Sequence, residues 1–193
     1  MLGLQLPTDP RWVNLAEKTI AEILIDHAYC EQKAASSCIS LIVSYPDKEK
    51  LVEMLTPVVA EEWGHFERVM EKMKDRNIAF GKKRKDEYVE KLLLLRKKGG
   101  NREQQLVEQL LINAIIEARS CERFKLLSQN IADEDLKKFY YELMISEAGH
   151  YVNFVELAKE YMPEEYVKTR LKELLEQEAE IIKNLDIRGD RMH

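Results

Sequence analysis

One short pattern occurs twice in the chain, as Glu62-Trp-Gly-His65 and Glu147-Ala-Gly-His150. Residues three apart on an α-helix share a face, so each pair can turn a carboxylate and an imidazole inward together. A lone Glu-x-x-His arises by chance in many helices. Two of them in a chain with only 4 histidines is the pattern by which four-helix bundles hold two iron or manganese ions, provided two further helices each add a carboxylate. The motif therefore demands four long helices, and little else accommodates it.

Hydrophobic spacing supplies those helices. Thr8-Asp9-Pro10 is a helix start, with Pro at the first helical position. Apolar residues then recur through Trp12, Leu15, Ala16, Ile20, Ile23 and Leu24, and the same face carries His27 and Glu31 before Pro46 ends it. A break is expected near Asn14. Asp47 is expected to cap a second helix over residues 48–76, kinked at Pro57. A shorter helix over 86–98 should end at Gly99-Gly100. Asn101 caps a third long helix over 102–128, and Asp133 opens a fourth over 134–161, stopped by Pro163. A last, charged helix over 164–183 reads as an outer strut, and residues from Ile187 onward as a loose tail. No strand-like alternation of useful length occurs. The chain reads as all-α.

In an antiparallel helix pair, residues equidistant from the loop lie level. Glu62 is 16 residues beyond Pro46 and Glu147 is 16 beyond Ile131. Their level partners are Glu31, 31 residues before Glu62, and Glu117, 30 residues before Glu147. At about 1.5 Å per residue each group would lie roughly 24 Å from its loop. Glu122 competes for the place of Glu117, because Cys121-Glu122 echoes Cys30-Glu31; its separation from Glu147 is only 25 residues, so spacing favours Glu117. Glu31, Glu62, His65, Glu117, Glu147 and His150 are thus the candidate ligands. Four carboxylates and two imidazoles suit two divalent ions and disfavour a closed zinc–thiolate site. His27 and Asn113, one turn before Glu31 and Glu117, are candidates to orient them.

Composition bounds the rest. With 193 residues, 45% of them hydrophobic, and only 7 Gly and 5 Pro, a single helical domain over 1–193 is expected. No signal peptide is apparent and no apolar run approaches the roughly 20 residues that span a bilayer. Cys30, Cys38 and Cys121 form no CxxC and cannot all pair, so no disulfide framework is expected, and they read as small core residues rather than ligands. A cytoplasmic enzyme is expected.

Four blocks carry a family resemblance: Asp26-His-Ala-Tyr-Cys-Glu-Gln-Lys-Ala-Ala35, Glu61-Glu-Trp-Gly-His-Phe66, Ile116-Glu-Ala-Arg-Ser-Cys-Glu-Arg-Phe124 and Ser146-Glu-Ala-Gly-His-Tyr151. They resemble the bacterial tRNA hydroxylases of 2-methylthio-isopentenyladenosine. The resemblance implies a ferritin-like four-helix bundle with additional helices and two non-haem Fe ions held by the six ligands above. It further implies a monooxygenase acting on the hypermodified adenosine at position 37, in the tRNA anticodon loop. Dioxygen would be a co-substrate. Two electrons would come from an external reductase or ferredoxin, since the chain has no flavin or nicotinamide motif. The competing reading is a ferritin-like iron-oxidising or peroxide-reducing protein without a nucleic-acid substrate.

An RNA substrate would need a local positive surface on a chain of net charge −5. Residues 72–102 hold the only conspicuous basic concentration, centred on Lys82, Lys83, Arg84 and Lys85. Such a cluster is expected to meet tRNA phosphates. Phe80 or Tyr88 is a candidate to stack on an exposed base.

Overall fold

A computed structural model describes residues 2–82 and 85–193. Its described residues form seven helices: α1 (Arg11–Lys18), α2 (Ile20–Ser44), α3 (Glu49–Asp75), α4 (Glu87–Leu93), α5 (Arg102–Asn130), α6 (Glu134–Tyr161) and α7 (Glu164–Asn184). The fold class is all-α and ferritin-like, with the two long helix pairs of a four-helix bundle, α2–α3 and α5–α6, and three additional helices. The chain divides into two compact units. One comprises residues 2–13, Asp86–Ile187 and His193; the other comprises Asn14–Lys85 and Arg188–Met192.

In the second unit α2 packs on α3 across a tight turn, where the Lys48 amide donates to the Tyr45 carbonyl at 3.1 Å. The first break in the helices falls at Thr19 rather than Asn14. The Thr19 hydroxyl donates to the Gly189 carbonyl at 2.7 Å. The N-cap of α3 is Lys48, which makes no side-chain cap bond, so Asp47 does not serve as expected. The helix continues through Pro57, where the missing N–H leaves the Glu53 carbonyl without its usual intrahelical donor.

The segment expected as a loose tail is tied down. The Met192 amide donates to Asp26 Oδ2 at 2.8 Å, and the Met192 side chain is fully buried. A Cβ on Gly189 would come within 2.6 Å of the Leu15 backbone, so this approach requires glycine.

In the first unit α5 packs on α6, α7 packs against both, and α4 packs against α5 and α7. The Asn101 side chain accepts from the Gln104 amide while Gln104 reaches back to the Asn101 amide, a full capping box. Asp133 caps α6 by accepting from the Leu136 amide at 3.0 Å. The α4 helix stops at Leu93, short of the expected 98. Helix α7 is more than an outer strut, because it buries two charges. Arg170 clasps both oxygens of Glu108 at 2.7 and 2.8 Å, and Glu178 accepts from Arg119 Nη2 at 2.7 Å. All four side chains are at most 2% exposed. His193 lies in this unit, its Nε2 2.9 Å from Ser120 Oγ and its ring stacked on Tyr88.

Candidate metal centre

The buried face of α3 is Leu51, Leu55, Val58, Glu62, His65, Val69 and Met73, in steps of three and four. Glu62 and His65 are its only polar members. The buried face of α2 includes Leu24, His27, Ala28, Glu31, Ala35, Cys38 and Leu41. The same hydrophobic periodicity that forces these helices together therefore turns three ligand-type groups inward. One donor atom each from Glu31, Glu62 and His65 falls within 4.8 Å of the others. His65 Nδ1 is 3.5 Å from Glu31 Oε2 and 3.8 Å from Glu62 Oε2. One turn before Glu31, the fully buried His27 places Nε2 2.6 Å from Glu31 Oε1, which fixes the direction of the carboxylate.

The first unit repeats the plan. The buried face of α6 includes Leu136, Tyr140, Leu143, Glu147, His150, Phe154 and Leu157, and that of α5 includes Leu110, Asn113, Glu117, Cys121 and Phe124. Donor atoms of Glu117, Glu147 and His150 again fall within 4.8 Å of one another, with His150 Nδ1 3.2 Å from Glu147 Oε2. Asn113 is buried and accepts from Gln109 Nε2 at 2.8 Å. Glu122 points elsewhere: it accepts from the Thr8 amide at 3.1 Å and the Thr8 hydroxyl at 2.7 Å, and pairs with Arg119. Cys121 donates to the Met144 carbonyl at 3.2 Å; burial chiefly, with Glu147 nearby, pushes its thiol up to about 11.

Each triad holds two carboxylates and one imidazole, all at most 6% exposed. Ionised carboxylates in such surroundings are costly unless paired or bound to metal, and two in one triad repel each other. A divalent cation relieves both costs. Oxygen and nitrogen donors without thiolate suit iron or manganese, so the residues fit one such ion per triad.

The basic cluster is only partly described. Lys82 and Lys85 are exposed; Lys83 and Arg84 lie outside the described residues. Further along, Lys91 pairs with Glu87 at 2.9 Å and Lys97 with Glu173 at 3.1 Å. Tyr88 cannot stack on a base, since it is 1% exposed. Its hydroxyl donates to Glu178 at 3.1 Å, and burial with that carboxylate raises its pKa well above the usual phenol value. Phe80 is half-buried, its ring stacked on Tyr29.

The sequence model of the family described as tRNA-(MS[2]IO[6]A)-hydroxylase (MiaE) matches residues 2–193. The chain belongs to this family. As a MiaE-family protein it is an oxidoreductase, a tRNA-modifying hydroxylase of the di-iron class. It is similar to the tRNA 2-(methylsulfanyl)-N(6)-isopentenyladenosine(37) hydroxylase of Pseudomonas putida, with 36% identity over 95% of this chain and 88% of the relative. The Salmonella typhimurium protein of the same name is 28% identical over 98% of this chain and 87% of its own length. A solved structure, a Synechococcus protein with aldehyde deformylating oxygenase activity, matches with a TM-score of 0.92 and 33% identity, covering 98% of this chain and 94% of that one. No helix among the described residues is long and apolar enough to cross a membrane.

Proposed function

We propose that this MiaE-family chain hydroxylates the isopentenyl group of 2-methylthio-isopentenyladenosine at position 37 of tRNA. The observation that carries the reading is the pair of buried triads, Glu31–Glu62–His65 and Glu117–Glu147–His150, in a chain matched by the family over residues 2–193. That one family model spans these residues also supports reading them as a single domain. The six side chains would supply the ligands of two irons. Bound there, the metals would supply dioxygen activation. The reaction then balances as one C–H bond and dioxygen, with two electrons and two protons, giving one alcohol and one water. The electrons come from a reductase or ferredoxin, and the tRNA substrate puts the reaction in the cytoplasm.

The protein's own groups set the conditions. Four carboxylates would offset the charge of two Fe(II) ions, so little net charge remains buried. His27 holds one Glu31 oxygen and leaves the other for the metal side. The apolar neighbours of each triad, Val58 and Val69 on α3 and Leu143 and Phe154 on α6, exclude water, which shields a reactive oxidant and suits an isopentenyl tail.

A second reading follows from the similar Synechococcus protein, which is described as having aldehyde deformylating oxygenase activity. Both readings use iron and dioxygen; they differ in substrate. Purified iron-loaded protein with reductant and dioxygen is offered isopentenylated, methylthiolated tRNA, and separately an aldehyde. Mass spectrometry of the digested nucleosides should show a gain of one oxygen, absent with Glu62→Ala. Loss of the aldehyde with unchanged tRNA would favour the second reading. Iron oxidation with neither product would favour the iron-handling one.

A further inference from the structure

Beside the triad of the second unit runs a line of aromatic rings. Trp63, next to Glu62, is 45% exposed, a large loss of apolar burial for a side chain of this size. Its ring centroid is 4.9 Å from Phe66, which follows His65; Phe66 meets Phe80 edge-on at 5.9 Å, and Phe80 stacks on Tyr29 at 4.4 Å. The far end is anchored. The Tyr29 hydroxyl donates to the Gly81 carbonyl at 3.1 Å, and Gly81 has φ +70°, a conformation side-chain-bearing residues rarely adopt. That turn delivers Lys82, exposed, two residues after Phe80. Beside Trp63 the helix is open: a Cβ on Gly64 would meet nothing within 4 Å.

We propose that Trp63 is a stacking platform for an unpaired nucleobase of the tRNA loop, with Lys82 and Lys85 taking the adjacent phosphates. The proposal rests on the tRNA reading above. Two features favour RNA over a protein partner. The exposed ring is backed by other rings, so it is held rigidly enough to receive a flat base. Aromatic faces accept any base, whereas sequence-tolerant grip comes from cations on the backbone. Lys82 and Lys85 are exposed, and Lys82 follows directly from the turn that Tyr29 and Phe80 fix. Because Trp63 follows Glu62 on α3, a base stacked there holds its strand on the exposed side of the helix whose buried side carries Glu62 and His65. Trp63 is thus a substrate-positioning residue.

The test uses the full iron-loaded protein and an anticodon stem–loop RNA carrying the modified adenosine. The chain has 2 tryptophans, and Trp12 is 1% exposed, so fluorescence quenching on RNA binding reports Trp63. Wild-type protein should quench; Trp63→Ala should not, and its Kd and KM for the RNA should rise about tenfold with kcat and iron content little changed. Trp63→Phe should recover most of the affinity. If wild type hydroxylates the RNA but fluorescence stays constant and Trp63→Ala binds normally, the platform is overturned while the tRNA reading stands. If Trp63→Ala instead loses rate only at limiting reductase, the face serves a protein partner and the proposal is wrong. Protein that neither binds nor hydroxylates the RNA removes the tRNA reading, and the proposal with it.

Discussion

Glu117 and Glu122 lie five residues apart on α5, and their surroundings set them to different work. Glu117 shares a 4.8 Å cluster with Glu147 and His150, while Glu122 holds Thr8 and Arg119. Glu117→Ala should therefore lower iron from about two toward about one per chain, read by metal analysis after anaerobic loading. Glu122→Ala should keep its iron and lose about 1–3 kcal/mol of stability, a fall in Tm of several degrees for a chain of this size. Equal iron loss in both variants would refute the assignment. His27→Ala should weaken iron about 10–100-fold, the usual effect of removing a group that orients a ligand, measured by chelator competition. Cysteine chemistry gives a third check. Burial pushes the Cys121 thiol up to about 11, so it carries almost no thiolate at neutral pH. Half-buried Cys30 should label first with maleimide in the native protein, and Cys121 only on unfolding. The sign for stability follows. A thiol pKa raised in the fold adds stability that is fully present below the unfolded value of about 9 and is lost as pH rises to about 11.

At the scale of helices, local chemistry was legible wherever it was local. Asn101, Asp133 and Pro163 announced their helix ends, and the structure uses Asn101 and Asp133 as caps. Apolar steps of three and four marked the buried face of α2, where Ile23, Leu24, His27 and Glu31 all turn inward. Sequence reasoning failed where the deciding partner is distant in the chain. The break at Thr19 is supported by Gly189, 170 residues away, and the C-terminal segment is ordered by Asp26. The charged face of α7 resembled a solvated one, yet Arg170 and Glu178 find Glu108 and Arg119 on α5. Nothing in the spacing of α7 reveals partners on another helix. Glu178→Gln leaves the buried Arg119 poorly compensated, and breaking such a pair typically costs about 3–5 kcal/mol. Thermal unfolding should show Tm lower by about 10 °C or more. A shift under about 2 °C would return α7 to the role of an outer strut.

For the whole molecule, the grouping of the six candidate ligands was readable because it was written twice: the two Glu-x-x-His motifs and the spacing of Glu31 to Glu62 and of Glu117 to Glu147 pointed to residues that the structure gathers into two buried triads. The surface was less readable. Trp63 was hidden by its place inside the motif, and Tyr88 was misjudged because its burial depends on Glu178 and His193. The buried carboxylates also make metal and stability inseparable. Each triad gathers two acids away from water, and a divalent cation would compensate them. Iron held by the folded triads and not by the unfolded chain should, with free metal at about 100 times Kd, add about 2.7 kcal/mol per site. Two sites then raise Tm by about 10–20 °C. Calorimetry under anaerobic conditions, with Fe(II) against chelator, measures this directly, and Mn(II) should reproduce much of the shift without dioxygen chemistry. Glu62→Ala should lose about half the gain. Identical Tm values with and without metal would mean the triads are merely buried polar groups, and the di-iron reading would fail even in a chain of this family.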